Sequence, residues 1–181
     1  MPGEHTKLST SMTVARYRIL KAAVNKHALS LFIVERFNER YFRPIEDSPS
    51  KHGFTVLAIA CLVLETLESF YQGRADTKNA STQMFRDFFA RNTELKVFGG
   101  GNDWFYKDIR CGILHQSETR GGWRVLRKGP ILDIKSKTIN ATAVLRALQR
   151  AVQGYSEQLR TDEGLWKNFL KKMDAICANC E

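Results

Sequence analysis

The sequence predicts an all-α, up-and-down helical bundle with one small β-hairpin insertion, and three observations carry that expectation. Apolar residues recur at spacings of three, four and seven over most of the chain, the repeat of helices that each bury one face. One short run breaks the pattern, rich in β-branched and aliphatic residues around a Lys-Gly-Pro turn. At 181 residues the chain suits a single domain, 1–181, with a core of its own, and no linker, repeat or low-complexity tract divides it.

Residues 1–10 are polar and are expected to form a loose tail. A long first helix is expected from Ser11 or Thr13 to about Phe42, with Val14, Tyr17, Leu20, Val24, Leu31, Val34 and Tyr41 facing inward. Pro44 and the turn residues Glu46 to Ser50 should stop it. A second helix is expected from about Lys51 to Gln72. Its first half is apolar nearly all round, as in a helix at the centre of a bundle, and Gly73 is a natural stop. Glu65 on this helix has two readings: a carboxylate on the polar stripe, or an acid facing the interior and paired with a base such as Arg110.

Ser81 or Thr82 should cap a third helix ending near Asn92, with Phe85, Phe88 and Phe89 as an inward stripe. Gly99-Gly100-Gly101 reads as a connector, because a P-loop needs a Gly-Lys-Ser/Thr ending and a preceding strand. Asn102 or Asp103 should cap a fourth helix that runs through His115 until Gly121-Gly122 breaks it. The hairpin is expected over 122–137, pairing Trp123–Arg127 with Ile131–Lys135 across Lys128-Gly129-Pro130. Asn140 should cap a fifth helix to about Arg160, carrying Val144, Leu145, Leu148, Val152, Tyr155 and Leu159 on one face. Thr161 or Asp162 should cap the last, to near Ile176, with Leu165, Trp166, Phe169, Leu170 and Met173.

Composition narrows the function. With 28 Lys+Arg against 19 Asp+Glu the formal net charge is +9, an excess that attracts polyanions and is compatible with RNA or DNA as substrate or partner. Of the four cysteines, Cys61 lies in an apolar run and reads as a small buried hydrophobe. The first residues lack the apolar core of a secretory signal. The run from Phe54 to Leu64 is eleven residues, short of the roughly 18–20 that span a bilayer. A cytoplasmic, reducing setting with free thiols and no membrane is the expectation.

The chemistry is expected between Trp104 and Trp123, WFYKDIRCGILHQSETRGGW. Arg110 and His115, five positions apart, are separated by about 140° on a regular helix, although a long arginine can swing toward the same cleft. Asp108 and His115 share a face, and Cys111 and His115 are direct neighbours. Cys111-x3-His115 with Cys177-x2-Cys180 offers four ligand types that zinc accepts, but in two distant halves. A Cys111–His115 nucleophile pair lacks a third, orienting group.

Arg110-Cys111-Gly112-Ile113-Leu114-His115, on a late helix after an aromatic cluster, resembles the Arg-x(4–6)-His signature of the HEPN superfamily of small helical bundles. The following Gln116 to Trp123 looks like bacterial members that add a short hairpin there. Active members usually place Asn, Asp or His directly after the arginine, where this chain has Cys111. The resemblance implies a metal-independent endoribonuclease without cofactor or metal. Such proteins often act as a toxin or in anti-phage defence, dimerise so that two signatures share a cleft, and work beside an antitoxin or defence-system partner.

In that scheme Arg110 and His115 are catalytic, with Cys111, Asp108 and Glu65 in support. Arg110 would hold the scissile phosphate, and His115 would move the proton of the ribose 2′-OH or of the leaving oxygen. Arg120, Trp123, Arg124, Arg127 and Lys128, with Lys135, Lys137 and Tyr106, would guide the RNA. The rival reading is a catalytically inactive helical module that binds RNA or a partner protein, with Arg110 as a structural ion-pair partner of Glu65 or Asp108.

Overall fold

The computed structural model describes residues 3–50 and 52–180. They are mostly helical with one small three-stranded sheet, and they gather into two compact units. The first comprises the described residues within Met1–Asp47, Ser69–Thr77 and Val152–Glu181, the second those within Ser48–Glu68 and Lys78–Ala151.

In the first unit the long opening helix is broken. Helix α1 (Val14–Ala22) ends in a turn where Val24 takes a left-handed φ of 49°. Helix α2 (Lys26–Phe37) restarts behind Asn25, whose side chain accepts from the Ala28 N–H at 2.9 Å. The break resets the phase, so Val24 and Leu31 face outward while Leu29, Phe32, Ile33 and Phe37 fill the core. A π-helical turn (Asn38–Phe42) leads into α3 (Arg43–Glu46). Pro44 therefore does not stop the helix. It sits at the start of α3, directly after the π-helical turn.

The tail is not loose over its described part; Met1 and Pro2 lie outside the described residues. Leu8 is 1 % exposed, its carbonyl accepts from Arg36 Nη1 at 2.6 Å, and the Thr10 N–H donates to Glu39 at 2.9 Å. One buried leucine and two ion-assisted hydrogen bonds outweigh the polar composition of the segment. Helix α8 (Glu163–Ala178) starts behind Asp162, which accepts from the Leu165 N–H at 2.8 Å as expected, and runs two residues beyond Ile176. It brings Phe169 onto Phe70, their ring centroids 5.9 Å apart, with Phe37 and Tyr155 on the same ring.

Helix α4 (Gly53–Gln72) supplies residues up to Glu68 to the second unit; Lys51, where the sequence suggested its start, lies outside the described residues. It is the one helix among the described residues long and apolar enough to cross a membrane, and more than half of its most apolar stretch is buried inside the protein. The apolar pattern does not stop at Leu64, because Leu67 and Phe70 continue it.

Helix α5 (Ser81–Arg91) buries Met84, Phe85, Phe88 and Phe89. Neither Ser81 nor Thr82 caps it: Ala80 holds the cap position, and the Ser81 hydroxyl donates instead to Glu65 at 2.6 Å. Asn102 and Asp103 do not cap the next helix either. Both have left-handed φ, 64° and 55°, and Asp103 binds the Arg86 guanidinium through two 2.6 Å hydrogen bonds. That helix is π-helical over Phe105–Arg110, then continues as α6 (Cys111–Gln116).

The expected hairpin is replaced by a sheet of order β1-β3-β2, with β1 (Arg124–Leu126), β2 (Leu132–Asp133) and β3 (Thr138–Asn140). Strands β1 and β2 do not pair with each other; β3 lies between them, parallel to β1 and antiparallel to β2. All three residues of β3 are buried, so the strand that removes most surface from water takes the middle. Asn140 then caps α7 (Ala141–Leu159), accepting from the Ala143 N–H at 3.1 Å. The six residues assigned to the inner face of this helix are all buried.

Candidate active site

The arginine comes into position through the aromatic core beneath it. Phe105 packs against Phe85, Phe89, Phe98 and Trp104, at centroid distances from 5.0 to 6.1 Å. Tyr106 meets Phe85 edge-on at 5.4 Å, and the Arg110 guanidinium lies over the Tyr106 ring, 5.3 Å from its centroid. Such a cation–π contact contributes about 0.5–2 kcal/mol, more as water is excluded.

On its other side, Arg110 Nη2 is 3.7 Å from Glu65 Oε2 on α4, with the two side chains 21 % and 14 % exposed. The interior reading of Glu65 is thus the observed one. Glu65 is held in turn by the Ser81 hydroxyl on its Oε1. At 3.7 Å the arginine and carboxylate attract without a formed hydrogen bond. The N–H fork of Arg110 therefore has no acceptor among the described hydrogen bonds, and an anion can take it.

His115 stands exposed on α6, with no hydrogen bond among the described residues. From Arg110 it is five residues on, about 140° around a regular turn. After Gln116 the chain reverses through Ser117, at φ 56°, and the Glu118–Arg120 segment returns across Gly112.

Gly112 is the residue that sequence reasoning passed over. A Cβ there would sit 2.5 Å from the Glu118 carbonyl oxygen and 3.3 Å from the Arg120 nitrogen, both backbone atoms. A glycine inside a helix costs about 1 kcal/mol against alanine, so its presence between Arg110 and His115 was a readable sign of close backbone approach. Gly112→Ala is expected to cost about 1–3 kcal/mol by overpacking. A thermal melt beside wild type checks it, and an unchanged melting temperature would contradict the packing described.

The remaining residues fall into two groups. Asp108 and Arg120 lie beside the pair: the Asp108 carbonyl accepts from the Arg120 N–H at 2.8 Å, and Arg120 Nε donates to Gln116 at 3.0 Å. Trp123 is stacked on Trp104 at 4.1 Å, which leaves one of its faces for any base. Arg124, Arg127 and Lys128 are exposed, with Arg124 donating to the Ser136 carbonyl and Arg127 to the Thr142 hydroxyl. Lys137 Nζ donates to the Gly121 carbonyl at 2.8 Å, so it braces the Gly-Gly turn.

Cys111 is half-buried and Cys61 fully so, and all four cysteines are free thiols. Burial pushes the Cys61 thiol up to about 12, with the Arg110 charge drawing it partly back. Because the thiolate is the reactive form, native protein at pH 8 should leave Cys61 unalkylated by iodoacetamide while Cys111 reacts. Peptide mass spectrometry reads this, and rapid native labelling of Cys61 would count against the burial seen. Among the described residues, no group of three or more His, Cys, Asp and Glu side chains comes together as a metal site. Comparison with family models, curated proteins and solved structures gives no match.

Proposed function

We infer that the chain is a metal-independent endoribonuclease of the HEPN type, working as a cytoplasmic homodimer, in the manner of a toxin or an anti-phage defence effector. The observation that carries this reading is the state of Arg110. It is oriented by Glu65 and Tyr106 while its donors stay open, one short helix away from an exposed imidazole. A positioned guanidinium with an unengaged fork is suited to a phosphodiester, and its positive charge offsets the charge that builds on phosphorus oxygens during attack.

In the reaction the ribose 2′-oxygen attacks the phosphorus and the bond to the 5′-oxygen breaks. One His115 takes the 2′-OH proton and the other protonates the departing 5′-oxygen, leaving a 2′,3′-cyclic phosphate and a 5′-OH. Two histidines require two copies of the chain. Phe54 and Leu62, eight residues apart on α4, and Leu114 beside His115 are exposed apolar side chains that a second copy could cover.

The test incubates purified protein with mixed RNA and with DNA of equal length in EDTA. Cleavage of RNA alone, with cyclic-phosphate ends, is the expected result, because DNA lacks the 2′-OH. An antitoxin or defence-system partner would be sought as a protein that suppresses this cleavage.

The second reading, a catalytically inactive module binding RNA or a partner protein, draws on the same ion pair. Cys111 stands where active HEPN proteins usually carry Asn, Asp or His, and Arg110 then serves Glu65 structurally. In that case Arg110→Ala lowers the melting temperature and there is no cleavage to lose.

A further inference from the structure

A second cationic site lies within the same unit as Arg110. A cleft of about 500 Å³ is lined by Arg127, Arg146 and Arg150, with Thr142, Asn140 and Glu94 also in its lining. Thr142, Arg146 and Arg150 follow at intervals of four on α7, one ridge whose steps rise about 6 Å each. Arg127 reaches in from the loop after β1 and donates to the Thr142 hydroxyl at 2.7 Å. Arg150 donates to Glu94 through Nε at 2.7 Å and through Nη2. Arg146 is exposed and makes no hydrogen bond or ion pair among the described residues.

Three guanidiniums against one carboxylate leave a net positive cleft, and the adjacent start of α7 adds the positive end of its backbone dipole. None of the residues lining the cleft is aromatic, so nothing there stacks on a base. The chemistry addresses phosphates rather than sequence.

We propose that this cleft binds the sugar-phosphate backbone of a nucleic-acid strand, two or more successive phosphates lying along the Arg146–Arg150 ridge with Arg127 opposite. The inference extends the RNA reading to a second surface, yet it is read by binding and holds whether or not Arg110 and His115 cleave. Charge recognition ignores the 2′-OH, so the cleft takes oligo(dT) as well as oligo(rU), whereas cleavage needs ribose.

The experiment titrates full-length protein into fluorescent oligo(dT) and oligo(rU) twelve-mers over a range of salt. Arg127→Ala/Arg146→Ala is expected to weaken binding of both roughly ten-fold, and to flatten the slope of log K against log salt by about 1.4, two contacts' worth for single strands. Glu94→Gln keeps an acceptor for Arg150 but removes the opposing charge, so it should tighten binding about two- to five-fold. Arg146→Ala alone, which severs no internal contact, guards against a folding effect and should weaken binding about three-fold. Unchanged binding in Arg146→Ala and in the double variant would overturn the proposal. A mononucleotide triphosphate that binds as tightly as the twelve-mers would overturn the strand reading as well. Loss of cleavage with this binding intact would strike only the ribonuclease assignment.

Discussion

His115→Ala should abolish RNA cleavage in EDTA to within about one part in a hundred to one in ten thousand, the range removed with a general acid or base. It should do so without unfolding the protein. The side chain is exposed and makes no described hydrogen bond, so its loss belongs with surface substitutions worth about 0.5 kcal/mol, roughly 1–2 °C in melting temperature. Gel-resolved cleavage beside a thermal melt separates the two quantities. Arg110→Ala makes an informative companion, because it removes the proposed phosphate contact and also leaves Glu65 with the Ser81 hydroxyl. Its melting temperature should fall while that of His115→Ala does not. Full cleavage by His115→Ala would end the ribonuclease reading.

The largest structural effect is expected at Phe105. It is 3 % exposed and touches four other aromatic rings, three of them from α5 and the segment after it. Phe105→Ala removes that contact surface and leaves a cavity among rings that cannot collapse into it, a loss of about 3–5 kcal/mol. For a chain of this size that is roughly 6–20 °C in melting temperature. Trp104 meets Phe105 edge-on and stacks on Trp123, so tryptophan fluorescence should report the change directly. A phenylalanine-to-leucine exchange at the same position keeps most of the volume and should recover more than half of the loss. A melting temperature unchanged in Phe105→Ala would contradict the aromatic core that underlies the arginine.

How far these features could be read from residues alone depended on whether their cause was local. Asn140 and Asp162 announced helix starts because a cap is one side chain and one nearby N–H. The inner stripe of α7 was legible because an unbroken helix keeps its phase over nineteen residues. The first helix was misread because Val24 and Asn25 interrupt it, and a phase carried across that turn put Leu31 inside when it is outside. Asn25 was the available sign.

Ser81 and Asp103 were good caps by type, but a carboxylate and a guanidinium distant in sequence claimed them. β3 went unseen because three residues hold too little pattern, and its partners are chosen by burial rather than by a turn. Of the site, the Glu65–Arg110 pairing was visible as one of two options for a carboxylate on an apolar helix. The cleft around Arg146 was invisible, because a helix ridge and a loop some fifteen residues apart meet only in space.

The wide turn from Phe105 to Arg110 holds one residue more than an ordinary coil of the same rise. Excising a single position between Tyr106 and Arg110 would let the segment tighten to the common winding, since three ordinary steps turn and rise about as far as four wide ones. Tyr106 and Arg110 would then stand at i, i+3 and still face each other, and the turns on either side would keep their phase. The stretch thus absorbs a one-residue difference in length, and chains shorter by one there would carry an arginine aimed the same way.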